Sequence, residues 1–241
     1  VSLSGRAYPL SRVSILQDGQ IVLTTIAGPD ARFSAMVTGL AGGNYLFAVR
    51  GEDKDGRRSS LFTFPVYVTT GVLTNISGIL LAPTIDVDKT EVRQGDNLAI
   101  FGQSVSSSTV TIAINSSQPL FVQTPAGENG AYLYNLDTVL LSLGVHNAKS
   151  KTTVGTEISP FGLAVNFQVG DENLPTPETG CVGRGDLNHD CRVNLVDFSI
   201  AAYWYRRPLT AAFSAVEKKS LNGDGRVDLV DFSILAYYWT G

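Results

Sequence analysis

In its last quarter the sequence repeats itself at an offset of 34 residues. Residues 186–205 read DLNHDCRVNLVDFSIAAYWY and 220–239 read SLNGDGRVDLVDFSILAYYW, identical at 13 of 20 positions. Oxygen-bearing side chains recur in both at loop positions 1, 3, 5, 9 and 12. A hard divalent cation takes about six to eight oxygens, and one loop supplies them only if ligands alternate along it and a last carboxylate closes it. The first loop offers Asp186, Asn188, Asp190, Asn194 and Asp197, with the Arg192 carbonyl at position 7. The second offers Ser220, Asn222, Asp224, Asp228 and Asp231, with the Arg226 carbonyl. Ser220 is uncharged where the first loop has Asp186, but Asp228 stands where the first loop has Asn194, so each loop keeps three carboxylates. A plain acidic turn needs no such repeated ladder. Two Ca2+ ions are the expected cofactors, the second held more weakly.

The residue after each carbonyl ligand, Val193 or Val227, is apolar and suits a small core pairing the loops. Position 12 is the short Asp, so the helix that follows begins inside the loop, over 195–205 and 229–239, with no clear helix before it. Residues 210–219 read as a helical connector. Two loop–helix units joined in this way resemble a dockerin module, and the resemblance covers 181–241. It implies a protein–protein plug whose recognition surface is the start of each helix: Leu195, Val196, Ser199 and Tyr203 on one, Leu229, Val230, Ser233 and Tyr237 on the other. Its partner would be a cohesin-like or Ig-like β-sandwich, in a separate receptor or in the next copy of this chain. Cellulosomal dockerins tend to carry small hydroxyl residues where these Leu-Val pairs stand, so the socket should be apolar. Phe198 and Phe232 are expected in the core. The Gly usual at position 6 is Cys191 in the first loop, and Cys181 is the only other cysteine. In an extracellular protein a disulfide between them is the economical reading. A zinc or redox pair is the alternative, with only His189 close by.

The first 170 residues read as short strands separated by Gly-, Asp- and Pro-rich turns, with no apolar period of 3.6. Residues 13–20 run into 21–27 through Asp18-Gly19, a hairpin dipeptide. Further strands are expected at 32–40, 44–52, 61–69 and 73–81, then at 97–103, 109–115, 131–136 and 162–169. Ala82-Pro83 divides them, and the short junction should hold two sandwiches in a row. The fold class is mainly β: two tandem Ig-like β-sandwiches at 1–83 and 84–170, a Pro-rich solvated linker at 171–180, and the small helical module at 181–241. The first sandwich resembles carboxypeptidase-regulatory-like or CnaB-like domains through Ala7-Tyr-Pro9, 13–19 and 40–45. The second, from 87–95, resembles a bacterial Ig-like repeat.

Eighteen Lys and Arg against 22 Asp and Glu give a net charge of −4, so no basic surface points to nucleic acid or an anionic membrane. No apolar run reaches the roughly 18 residues of a spanning helix. Val1 opens directly on strand-like sequence, so any targeting segment is expected outside it. Two His and two Cys leave little for nucleophilic or zinc catalysis, and no residue is singled out as catalytic. Glu52-Asp-Lys-Asp-Gly56 lacks a closing acid and reads as a hairpin turn; His146 reads as a packed or exposed strand residue. These features imply a non-enzymatic extracellular structural or attachment protein of the bacterial cell surface, and the dockerin resemblance extends this to receptor docking or a head-to-tail fibre. The rival is an accessory carbohydrate-binding or hydrolytic component of a multi-enzyme scaffold, for which the first 170 residues supply no Trp.

Overall fold

The computed structural model describes residues 1–116, 119–176, 184–188 and 192–240. The chain divides into two compact units, Val1–Pro177 and Glu178–Gly241.

The first unit begins with seven strands: β1 (Ser2–Arg6), β2 (Arg12–Gln17), β3 (Gln20–Ile26), β4 (Arg32–Met36), β5 (Gly43–Glu52), β6 (Phe62–Val68) and β7 (Asn75–Leu80). They form a three-stranded sheet, β4-β1-β7, and a four-stranded one, β3-β2-β5-β6. Alternation decides which face is buried. In β4, Phe33 and Ala35 point inward while Arg32, Ser34 and Met36 face out. Leu3, Val13, Ile15, Phe47 and Val49 meet them in one core, each contributing about 1.5–3 kcal/mol of burial. The β2–β3 turn falls on Asp18-Gly19, with φ of 50° and 85°. Both angles are left-handed, as a two-residue hairpin loop demands, and Gly19 meets that demand without strain.

Ten more strands follow: β8 (Asp86–Val87), β9 (Lys89–Arg93), β10 (Asn97–Gln103), β11 (Thr109–Asn115), β12 (Leu120–Pro125), β13 (Ala131–Asp137), β14 (Gly144–Val154), β15 (Glu157–Ile158), β16 (Ala164–Gly170) and β17 (Leu174–Pro175). One sheet runs β13-β10-β8 and the other β12-β11-β14-β16-β9-β17, with β15 on β14. Each sandwich closes by a parallel pair of an early and a late strand, β1 with β7 and β9 with β16.

Two sequence expectations need correction. The longest strand, β14, has no apolar alternation to betray it: its inward residues are His146, Ala148, Ser150 and Thr152. The pocket they enter is partly polar, where Tyr132 Oη lies 3.3 Å from Ser150 Oγ and Ser104 Oγ lies 2.9 Å from Thr152 Oγ1. His146 is buried, stacked on Phe167 at 5.6 Å, with Nε2 2.7 Å from the Ser142 carbonyl. The second correction concerns 171–180. Leu174–Pro175 is an edge strand on β9, and Thr176 donates from N to the Asp88 carbonyl (2.9 Å) and from Oγ1 to the Val87 carbonyl (2.7 Å). Backbone pairing holds Leu174–Pro175 while their side chains stay exposed, and the Asn173 and Thr176 side chains pin the flanks, so the polar sequence resembles a linker; Pro175 is tolerated at a free edge. Residues 177–180 lie outside those described.

Residues 79–84, where one sandwich passes into the next, are all buried. Tyr8 Oη donates to the Ala82 carbonyl, and Tyr132 Oη donates to the Thr84 carbonyl at 2.6 Å. Thr84 Oγ1 donates to Asp53 Oδ2 (2.8 Å) and accepts from Gln103 N (2.9 Å). Asp53 also accepts from Asp55 N and Arg57 N, both at 2.9 Å, and from Arg57 Nε at 2.8 Å. The turn at 52–56 is therefore a hairpin, as expected, and in addition the hub of the junction. Ala31, Leu80 and Val105 add a small apolar cluster beside it. Asp53→Ala strands Thr84 and Arg57 and should cost about 3 kcal/mol in denaturant unfolding of the first unit.

Burial pushes the phenols of Tyr8 and Tyr132 well above the ordinary value of 10.0. Above that pH the unfolded chain releases protons that the folded chain keeps. The stabilisation is therefore intact below about pH 10 and is lost as pH rises beyond it. Stability measured from pH 9 to 12 should fall less steeply in Tyr8→Phe/Tyr132→Phe than in the parent.

Candidate metal centre

The described residues of the second unit form three helices: α1 (Leu195–Trp204), α2 (Ala211–Ser220) and α3 (Leu229–Tyr237). They enclose Leu187, Val193, Ala201, Phe213, Leu221, Val227 and Leu235, with Phe198 and Phe232 packed against this core. The two Phe rings meet at 5.9 Å, and Trp204 stacks on Phe213 at 4.8 Å. Val193 and Val227 are both fully buried. Their backbones pair crosswise. Thr240 N donates to the Val193 carbonyl at 2.9 Å, and Arg206 N donates to the Val227 carbonyl at 3.1 Å. Each loop is thus fastened to the segment following the other loop's helix, at positions that the 34-residue offset relates.

The two helices that follow the loops, α1 and α3, each start in a capping box. Asn194 Oδ1 accepts from Val196 N (2.7 Å) while Asp197 Oδ2 accepts from Asn194 N (2.9 Å). In the repeat, Asp228 Oδ1 accepts from Val230 N and Asp231 Oδ2 accepts from Asp228 N, both at 2.8 Å. Positions 9 and 12 are therefore N-cap and N3. The other oxygen of each position-12 Asp reaches back to the start of its loop: Asp197 Oδ1 accepts from Leu187 N at 2.8 Å, and Asp231 Oδ1 from Asn222 N at 3.4 Å. Between these ends the second loop is a ladder of Asx turns, with Asp224 N donating to Asn222 Oδ1 and Arg226 N to Asp224 Oδ1, each at 3.1 Å.

Helix boundaries differ slightly from the sequence reading, because α1 and α3 stop at Trp204 and Tyr237. The helical connector expected at 210–219 is present as α2, and it leads straight into the second loop. Thr210 caps α2, accepting from Phe213 N, and α2 runs into Ser220, the loop's first position. Asp190, His189, Cys181 and Cys191 lie outside the described residues, so the first loop's third carboxylate and the expected disulfide do too.

Asp197 and Asp231 are fully buried and Asp186 nearly so. No described cationic side chain pairs with Asp197 or Asp231. Among the described residues it is backbone N–H groups and the helix N-terminus that oppose their charge. In the second loop the exposed Arg226 side chain lies against Asp224 and Asp228, its Nε 3.2 and 3.3 Å from their oxygens. Among the described residues no three His, Cys, Asp or Glu side chains are gathered closely enough to hold an ion as they stand. What the loop presents is a cation, the guanidinium, at the mouth of an oxygen-lined turn. That arrangement fits a divalent ion once Arg226, anchored nowhere else among the described residues, swings aside. Asp224 is held below its usual range: some desolvation opposes this, but hydrogen bonds from Arg226 N, Asn222 and the Arg226 guanidinium outweigh it.

The helix starts leave a second feature. Leu195, Val196, Leu229 and Val230 are 73%, 51%, 69% and 55% exposed, and Tyr203 and Tyr237 stand exposed two turns on. Ser199 and Ser233 are exposed too, each bonding back to its own helix. Sequence reasoning missed Glu217, which is buried beside the second loop.

No protein-family model matches the chain. No curated protein matches it. Among solved structures it is similar to a tetra-tandem repeat from the extending region of a large adhesion protein, at 14% identity, over 70% of this chain and 49% of that one, with a TM-score of 0.30. It is similar also to fibronectin(III)-like modules of Clostridium thermocellum CbhA, at 18% identity, over 68% of this chain and 80% of that one, with a TM-score of 0.28. A third is a Ca2+-stabilised adhesin with which an Antarctic bacterium binds ice, at 16% identity, over 69% of this chain and 41% of that one, with a TM-score of 0.28. The chain spans about half the length of the adhesion-protein repeat. Likeness at these identities and TM-scores carries no functional argument. Among the described residues no helix is long and apolar enough to cross a membrane.

Asp231→Ala removes both the loop closure and the capping box of α3. It should cost about 1 kcal/mol even without metal and reduce bound Ca2+ from two ions to one in native mass spectrometry. An unchanged ion count would show that the second loop holds no metal.

Proposed function

We propose that this chain is a non-enzymatic extracellular structural or attachment protein whose C-terminal unit is a Ca2+-ordered, dockerin-like plug. Ca2+ would be held by Asp186, Asn188, Asp190, Asn194, Asp197 and the Arg192 carbonyl in the first loop. In the second, Ser220, Asn222, Asp224, Asp228, Asp231 and the Arg226 carbonyl would hold it. The ion supplies positive charge at the buried position-12 carboxylates; the chain supplies oxygens, helix caps and a shared core that fix two helix starts. A Cys181–Cys191 disulfide would brace the first loop.

The observation that carries this reading is the pair of exposed Leu-Val faces, Leu195-Val196 and Leu229-Val230, each set at the N-terminus of a helix that a loop carboxylate caps. Solvent alone favours polar residues there. Repetition of both pairs on one module gives two equivalent docking faces, and a β-sandwich of a receptor or of a neighbouring copy is the socket. A contact with a neighbouring copy would be heterologous and would grow an open fibre unless its rotation closed a ring. Burying one Leu and one Val offers roughly 3–6 kcal/mol before association costs.

Sedimentation of the full chain in millimolar Ca2+, alone and with candidate sandwich receptors, tests this. Leu195→Asp/Val196→Lys/Leu229→Asp/Val230→Lys should keep both ions and lose assembly or receptor capture. A variant that still assembles like the parent would place the docking surface elsewhere.

A further inference from the structure

Resting on the Ca2+ reading above, we infer that Glu217 is a ligand of the second ion, supplying from α2 the carboxylate that Ser220 fails to supply at loop position 1. Glu217 is only 1% exposed. Its Oε2 accepts from Gly225 N, the position-6 amide, at 3.3 Å, so the carboxylate points into the loop from the α2 side. Among the described residues its Oε1 accepts no hydrogen bond and no cation pairs with it. A buried carboxylate with one idle oxygen is costly to keep charged. Beside an oxygen ladder, a cation relieves that cost.

The repeat gives an independent argument. At the 34-residue offset, Glu217 answers to Gly183 and Ser220 answers to Asp186. The first loop has its acid at position 1 and none three residues earlier; the second has the reverse. Because Ser220 ends a regular helix, a residue three places before it lies one turn back on nearly the same face. A longer Glu on that face reaches the loop that a shorter Asp at position 1 would reach directly. The negative end of α2 faces the same entrance and favours a cation there. The second site then has four carboxylates, Glu217, Asp224, Asp228 and Asp231, and is not the weaker for lacking an acid at position 1.

Calorimetric Ca2+ titration of the full chain tests the assignment. Glu217→Gln should weaken the second ion by roughly 10–100-fold and leave the first unchanged. Adding Ser220→Asp to that variant should restore it. A merely structural role predicts that Glu217→Gln lowers the melting temperature with or without Ca2+. A ligand role predicts that it melts at or above the parent in chelator, since a buried charge is gone, and below the parent in Ca2+. If the parent binds two ions and Glu217→Gln binds both equally well, this assignment is wrong and the two-site reading stands. A parent that binds fewer than two ions overturns both. Should Glu217→Gln not fold, Glu217→Gln/Ser220→Asp must still take two ions, and its failure to do so overturns the assignment.

Discussion

Two buried carboxylates, Asp197 and Asp231, organise the C-terminal unit. Each caps a helix with one oxygen and ties down the start of its own loop with the other. Those loops place Val193 and Val227 in the core and aim the two helices. Asp53, in the first unit, is also buried, yet it has a guanidinium at 2.8 Å and a hydroxyl at 2.8 Å. A buried charge needs a partner of that kind. Asp53 carries its partner within the chain, whereas the C-terminal carboxylates have amides and, in this account, an ion. In this account assembly through the helix faces would follow calcium, because the ion would reinforce the closed loops that set those faces.

The first unit is built for the opposite behaviour. Its junction is buried and hydrogen-bonded from both sandwiches, through Tyr8 to Ala82 and through Tyr132 to Thr84. Each sandwich pairs an early strand in parallel with a late one, so pulling the strand ends apart shears a row of backbone bonds together.

Where a side-chain pattern carries the structure, the sequence is legible. The alternation in β4, the Asp18-Gly19 turn and the duplicated loop–helix spacing all read directly into elements. The misses share a cause. In β14 three of the four inward positions, His146, Ser150 and Thr152, are polar and are satisfied by a nearby loop carbonyl or by distant hydroxyls, so hydropathy gives no sign of them. For β17 the bonds are backbone bonds, to which side chains are indifferent. Asp53 reads as a turn residue because the Thr84 it holds is 31 positions away. Glu217 escapes a loop-by-loop count because it acts from the preceding helix; only aligning 183 with 217 reveals the exchange.

The central claim, that Ca2+ orders the C-terminal unit, is tested most directly by amide hydrogen exchange on the full chain in millimolar Ca2+ and in chelator. The account predicts that the amides of α1 and α3, and of residues 193 and 227, gain strong protection with Ca2+ while those of the two sandwiches do not change. Equal protection of both helices in the two conditions would contradict it.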